Sequence, residues 1–157
     1  MEIERKFLVR RIPPETPDRS DSKAIVQGYI SADPVIRVRK TGGEHYLTIK
    51  GEGLTAREEF ELKITERQFS SLLDKVSGNL IEKTRRRIPL RGGLTAELDI
   101  YGGGLAGLLT VEVEFGSEED AGAFVPPDWF GAEVSADARY QNNNLAFYGA
   151  PETRNNV

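Results

Sequence analysis

Polar and apolar residues alternate at the very start of the chain, with Glu2, Glu4 and Lys6 on one parity and Ile3, Arg5 and Phe7 on the other. A period of two marks a β-strand, because successive side chains of a strand point to opposite faces. The alternation returns over Ile25 to Ile30, Val35 to Lys40, Tyr46 to Lys50, Arg57 to Lys63, Lys83 to Ile88, Thr95 to Ile100 and Thr110 to Phe115, and each of these segments is expected to be a strand. Thr41-Gly42-Gly43-Glu44 and Arg91-Gly92-Gly93 read as tight turns, so neighbouring strands are expected to be antiparallel. One helix stands out: Thr65 offers an N-cap with Gln68 three residues on, Phe69, Leu72, Leu73 and Val76 form an apolar stripe, and Gly78 is the expected stop. Weaker helices are predicted after Ser117 toward Phe124 and from Asn142 to Phe147, and the proline-bearing stretch Ile12 to Ser22 reads as a surface loop with a short helical turn.

Sorting the strands by parity separates two kinds of face. One carries Glu2, Glu4, Lys6, Arg37, Arg39, Thr48, Lys50, Arg57, Glu59, Glu61, Lys63, Lys83, Arg85, Arg87, Glu97, Asp99, Glu112 and Glu114. The other is apolar, from Ile3 and Phe7 through Ile36, Val38, Leu47, Ile49, Phe60, Leu62, Leu98 and Ile100 to Val111, Val113 and Phe115, with Arg5, Lys40, Glu58 and Arg86 as exceptions. A solvated sheet face explains any one of these strands alone. It explains the set poorly, since solvated strands mix in neutral polar residues whereas these repeat Arg, Lys and Glu. If the sheet closes into a barrel, the charged face lines an interior and the apolar face turns outward, to be covered by helices such as Thr65 to Val76. Both signs are then required inside, and a polyanion with divalent cations would complete the balance. Arg forks and Lys ammonium groups suit a chain of phosphoryl groups, while alternate carboxylates such as Glu2/Glu4 and Glu112/Glu114 suit Mg²⁺ or Mn²⁺.

Composition narrows the picture. With 157 residues, 38% of them hydrophobic, the chain is expected to form one domain over 1–150, with a polar tail at 151–157. A net charge of −4 argues against a general nucleic-acid or anionic-membrane binder, so an anion site must be local. No transmembrane-length apolar run or signal-peptide core is read, and the expected compartment is cytoplasmic. The absence of cysteine and the single His45 rule out thiolate and multi-histidine metal sites, leaving oxygen ligands. His45, beside a Gly-Gly turn, reads as an exposed hairpin residue, and Gly102-Gly103-Gly104 lacks phosphate-loop spacing and reads as a turn. Trp129 with Pro126-Pro127 is expected to seal one side of the barrel wall, and Arg86 must face away from Arg85 and Arg87.

The opening Glu2-x-Glu4-x-Lys6 resembles the ExExK signature of the CYTH superfamily, the triphosphate tunnel metalloenzymes. The likeness continues through Gln27-Gly28-Tyr29-Ile30, Ile36-Arg37-Val38-Arg39, Leu47-Thr48-Ile49-Lys50-Gly51, Glu59-Phe60-Glu61, Ile81-Glu82-Lys83-Thr84-Arg85, Glu97-Leu98-Asp99, Glu112-Val113-Glu114 and the stretch from Asp137 to Ala146. The resemblance implies an α+β fold, a closed eight-stranded antiparallel tunnel with helices outside. Its short bacterial branch implies hydrolysis of a triphosphate, inorganic tripolyphosphate first, with Mg²⁺ or Mn²⁺. It also implies Lys83 and Tyr29 as catalytic residues acting together; the charge of neighbouring Arg85 and Arg87 is further expected to lower the pKa of Lys83 so that it takes the water's proton, with Tyr29 fixing its position. Lys6, Arg37, Arg39, Lys50, Arg57, Arg85 and Arg87 would grip phosphates, and Glu2, Glu4, Glu59, Glu61, Asp99, Glu112 and Glu114 would make metal or water contacts. Lys63 is a further carry-over. The expected partner is a small-molecule triphosphate, not nucleic acid or membrane, and a homodimer is the default assembly. A class IV adenylate cyclase and a non-catalytic polyphosphate or nucleotide binder are the alternatives.

Overall fold

The computed structural model describes residues 2–14, 22–52 and 56–151, so most of the expected loop from Ile12 to Ser22 and the tail 152–157 lie outside the described residues. The strands are β1 (Glu2–Val9), β2 (Ser22–Ala32), β3 (Val35–Thr41), β4 (Glu44–Lys50), β5 (Ala56–Arg57), β6 (Glu59–Ile64), β7 (Ser77–Pro89), β8 (Thr95–Tyr101), β9 (Leu109–Glu114) and β10 (Phe130–Glu133). The helices are α1 (Glu66–Leu73), α2 (Glu118–Ala123) and α3 (Asn142–Tyr148). Neighbours run in the order β10-β1-β9-β8-β7-β2-β3-β4-β6, and β5 pairs with β1. Every pairing is antiparallel.

Closure depends on β5. Only Glu58 separates it from β6, so the two act as one bent strand that pairs with β4 along one part and with β1 through Glu2↔Arg57 and Ile3↔Ala56 along the other. Counted that way, eight antiparallel strands make a nearly closed barrel, with β10 laid against the far end of β1. No membrane-length apolar helix occurs among the described residues.

The inverted alternation is realised as the parity sort requires. Phe7, Ala96, Leu98, Val111 and Val113 turn outward and pack with Ala121 of α2 and with Phe115, Trp129 and Phe130 into one buried cluster. Leu98, Val111 and Val113 are wholly buried, and each such side chain contributes about 1.5–3 kcal/mol by leaving water. Trp129 is buried in this cluster with its ring edge-on to that of Phe130, centroids 4.6 Å apart. Arg5, an exception on the apolar face, has its charge answered. Its Nε and Nη2 donate to Glu133 at 2.9 and 2.6 Å, and its Nη1 donates to the Ala121 carbonyl at the end of α2 at 2.8 Å. A second cluster closes one end of the barrel, where Leu8, Tyr29, Ile81 and Tyr101 meet Val134, Tyr140, Leu145 and Ala146 beneath α3.

Several expectations are corrected. The capping box forms as predicted, with Thr65 and Gln68 exchanging hydrogen bonds at 2.9 and 3.1 Å, but α1 ends at Leu73, not near Gly78. Gly78 belongs to β7 at φ +74, and a Cβ there would lie 2.8 Å from the Phe147 ring, so glycine at this position admits α3. Gly28 on β2 makes room instead for Val76 and Leu80, to which an added Cβ would come within 2.8 and 2.9 Å. His45 is buried, not exposed: it shares the outward parity of Leu47 and Ile49, and α1 lays Phe69 over it at a ring separation of 5.1 Å. β7 begins six residues before Lys83, and β10 was not foreseen because four residues are too short to show a period.

Candidate active site

The barrel encloses a cavity of about 210 Å³ lined by seven basic and seven acidic side chains. They are Lys6, Arg37, Arg39, Lys50, Arg57, Lys83 and Arg85, against Glu2, Glu4, Glu59, Glu61, Glu97, Glu112 and Glu114. Sheet order sorts them into arcs. Adjacent β1, β9 and β8 carry Glu2, Glu4, Glu112, Glu114 and Glu97, whereas β7, β2 and β3 carry Lys83, Arg85, Tyr29, Arg37 and Arg39. Register fixes the sharing of faces, since opposed residues of an antiparallel pair point the same way: Lys6 opposes Glu112, Glu112 opposes Glu97, and Tyr29 opposes Arg37.

The basic arc is anchored by a carboxylate outside the lumen. Asp99, expected as a metal contact, is fully buried and does not line the cavity. Its oxygens accept from Lys83 Nζ at 2.7 Å and from Arg85 Nε and Nη2 at 2.7 and 2.9 Å. Burial would raise its pKa, but Lys83 and Arg85 hold it below the ordinary aspartate value. Lys83 is pushed down to about 8, first by burial and then by Arg85, with Asp99 opposing the shift. Arg87 takes no part in this: it is exposed at the rim, pairs with Glu97 at 3.3 Å and lies outside the cavity lining. Lys63 is likewise an exposed rim residue, paired with Glu44 at 3.7 Å.

Among the described residues no hydrogen bond joins Tyr29 to Lys83. The Tyr29 hydroxyl accepts from Gln27 Nε2 at 3.3 Å and sits by Arg37, while Lys83 is fixed by Asp99 and lies 5.5 Å from the Tyr101 ring centroid. Tyr101, which period-two reading passed over, donates to Asn142 Oδ1 at 2.9 Å and ties the base of the tunnel to α3. Ser135, Gln141, Asn142 and Asn143 line the cavity as well; the last three fall in the Asp137–Ala146 stretch of the resemblance, but the strand alternation gave them no place in the lining because they come from a loop and a helix start. Lys6 reaches the same end, donating from Nζ to the Tyr140 carbonyl at 2.6 Å, with Glu112 at 3.7 Å.

The acidic arc holds more carboxylate than the protein neutralises. Glu4 is raised to about 9 by burial and by the charges of Glu112 and Glu2, so it keeps its proton. Burial also works against ionisation of Glu112, but Lys6, Arg85 and Lys83 outweigh it and keep the group charged. Crowded buried oxygens with a surplus of negative charge suit a hard divalent cation, which would release the Glu4 proton and take its place. Among the described residues no group of three carboxylates is already gathered in ligating geometry, so a cation would have to draw them together. The donor set thus fits Mg²⁺ or Mn²⁺ in charge and chemistry.

No family model matches the chain. It is 43% identical to an inorganic triphosphatase of Nitrosomonas europaea, over 92% of this chain and 96% of that protein. The chain belongs to the inorganic triphosphatases of the CYTH superfamily. A second relative, an inorganic triphosphatase of Acetivibrio thermocellus, is 35% identical over 92% of each. The crystal structure of the inorganic triphosphatase NE1496 superposes with a TM-score of 0.70 at 41% identity, covering 96% of this chain and 97% of that one. This CYTH chain therefore shares its fold along nearly its whole length with a solved relative.

Proposed function

We propose that this protein hydrolyses inorganic tripolyphosphate to pyrophosphate and phosphate in the cytoplasm, in a metal-dependent reaction inside its tunnel. The observation that carries the reading is a basic arc facing an acidic arc across an enclosed lumen, in a chain whose relatives are named inorganic triphosphatases. A linear polyanion lies along Arg37, Arg39, Lys50, Arg57 and Arg85, with Lys6 near the closed end. The guanidinium forks fix the direction of its oxygens, and Tyr29, beside Arg37, adds a phenol donor.

When bound, Mg²⁺ or Mn²⁺ would neutralise phosphate charge and lower the cost of bringing the triphosphate to the carboxylates; Glu2, Glu4, Glu112 and Glu114 would hold it, with Glu59 and Glu61 on the neighbouring strand that closes the barrel against β1. Phosphoryl transfer requires mainly positioning and charge stabilisation, which the arginines supply. Lys83 is the proton acceptor. With a pKa of about 8 it is partly neutral near physiological pH, and Asp99 aims its nitrogen. Water adds to the terminal phosphorus, its proton passes to Lys83 Nζ, the bridging P–O bond breaks, and pyrophosphate leaves against the arginines.

Phosphate release across a panel of tripolyphosphate, thiamine triphosphate and nucleoside triphosphates, with Mg²⁺, Mn²⁺ or EDTA, tests the proposal. Tripolyphosphate is expected to turn over fastest, and only with metal. Cyclic AMP and pyrophosphate as main products from ATP, or binding of tripolyphosphate without phosphate release, would overturn it.

A further inference from the structure

One buried polar side chain on the inward face has no part in the chemistry described so far. Gln27 shares the parity of Tyr29 on β2 and stands opposite Arg39 of β3, as Tyr29 stands opposite Arg37. It is fully buried and does not itself line the cavity. Taking an amide out of water is unfavourable unless its polar atoms find partners. Here only one end does: Nε2 donates to the Tyr29 hydroxyl at 3.3 Å, while Oε1 has no partner among the described residues. Leucine or methionine would fill the same space without that cost, so packing does not account for the amide.

The neighbours decide which way round the amide sits. Arg39, directly opposite, carries donors only, and its Nε is itself buried without a partner among the described residues. An oxygen suits that side of Gln27, which leaves the N–H for Tyr29. The Tyr29 hydroxyl then has two donors on its protein side, the Gln27 amide and the Arg37 guanidinium. Neither can accept, and no other acceptor meets the phenol proton among the described residues, so the proton is left to the lumen that Tyr29 lines. Burial raises the phenol above its ordinary pKa against the pull of Arg37, Arg39 and Arg57, which keeps that proton in place. We propose that Gln27 is a positioning residue: by filling the acceptor side of the Tyr29 hydroxyl, it holds the phenol as a donor to a phosphate oxygen of the triphosphate. This role rests on the tripolyphosphate hydrolysis proposed above, with Tyr29 as a donor to the polyanion. A hydroxyl held in that state meets the charge developing on phosphate without having to reorient.

A double-mutant cycle on steady-state tripolyphosphate turnover with Mg²⁺ tests this. Gln27→Glu keeps the shape and the oxygen toward Arg39, but replaces the N–H with an acceptor that takes the phenol proton for itself. Removing one preorganised donor costs about a hundredfold or more in kcat, so Tyr29→Phe is expected to lose about that much and Gln27→Glu at least about tenfold. Added to Tyr29→Phe, Gln27→Glu is expected to lower kcat by no more than about twofold further, because the hydroxyl it acts through is gone. Any rise in KM from the added charge persists in both backgrounds. Gln27→Met, uncharged and of similar volume, is expected to show the same dependence on Tyr29 with a smaller loss, and it carries the test if Gln27→Glu does not fold. A Gln27 that serves structure alone would lower kcat by the same factor with or without the Tyr29 hydroxyl. That independence, or Gln27 variants that change KM and leave kcat at the wild-type value, would overturn the proposal. Wild-type kcat in Tyr29→Phe would overturn the donor role of Tyr29 as well, and a wild-type protein that releases no phosphate would overturn the hydrolysis beneath both.

Discussion

Replacing Asp99 with Asn tests the arrangement on which the proposed chemistry rests. The aspartate is wholly buried, and its two oxygens receive three hydrogen bonds from two cations, Lys83 and Arg85. Asparagine keeps the volume and one acceptor oxygen, but leaves two buried positive groups without their counter-charge. Removing one partner from a buried ion pair costs about 3–5 kcal/mol, which for a domain of this size is a fall in Tm of roughly 6–20 °C. Lys83 also loses the attraction that partly offsets its desolvation, so its pKa drops further below about 8. A base with a lower pKa is neutral at lower pH, so the alkaline rise of kcat/KM is expected to move to lower pH as its maximum falls. Calorimetric unfolding with a pH–rate profile measures both. A Tm within about 2 °C of wild type would refute the assignment of Asp99 as the buried counter-ion, because no surface substitution is expected to cost more than ~0.5 kcal/mol.

Other outcomes follow from the same geometry. Lys83→Ala is expected to reduce tripolyphosphate turnover by at least about a hundredfold, the usual contribution of a positioned base, with KM little changed in steady-state phosphate release. In EDTA, Glu4 binds its proton more tightly folded than unfolded; that stabilisation is complete below the ordinary glutamate pKa of 4.5 and is lost as pH rises through about 9. Urea midpoints without metal are therefore expected to fall between pH 5 and 9, and Mg²⁺ to flatten the trend. Calorimetric titration of Mg²⁺ near pH 7.5 in buffers of different ionisation enthalpy is expected to show release of about one proton, from Glu4. Arg5→Ala is expected to cost about 1–3 kcal/mol in denaturant unfolding, because it strips donors from Glu133 and from the Ala121 carbonyl while leaving the tunnel intact.

Period-two alternation determined a great deal by itself. It located most strands, assigned each side chain to the lumen or the outer wall, and thereby made Glu2, Glu4, Lys6, Arg37, Arg39, Lys50, Arg57, Glu59, Glu61, Lys83, Arg85, Glu112 and Glu114 a single lining, because parity is a local property of an extended backbone. Parity carries no information about depth or neighbours. Asp99 has lumen parity yet lies beneath Lys83 and Arg85, which only the β7–β8 register decides. His45 looked like a turn residue until α1 folded over it. Ser135 and Asn142 joined the site because a loop and α3 fold back over one end of the barrel from distant parts of the chain, where Tyr101 of β8 donates to Asn142. The exposure of Phe60 and Leu62 on β6 is likewise a consequence of stagger. A tilted, closed sheet offsets each strand from the next, and where β1 starts relative to Arg57 decides whether the apolar side chains of β6 meet protein or water.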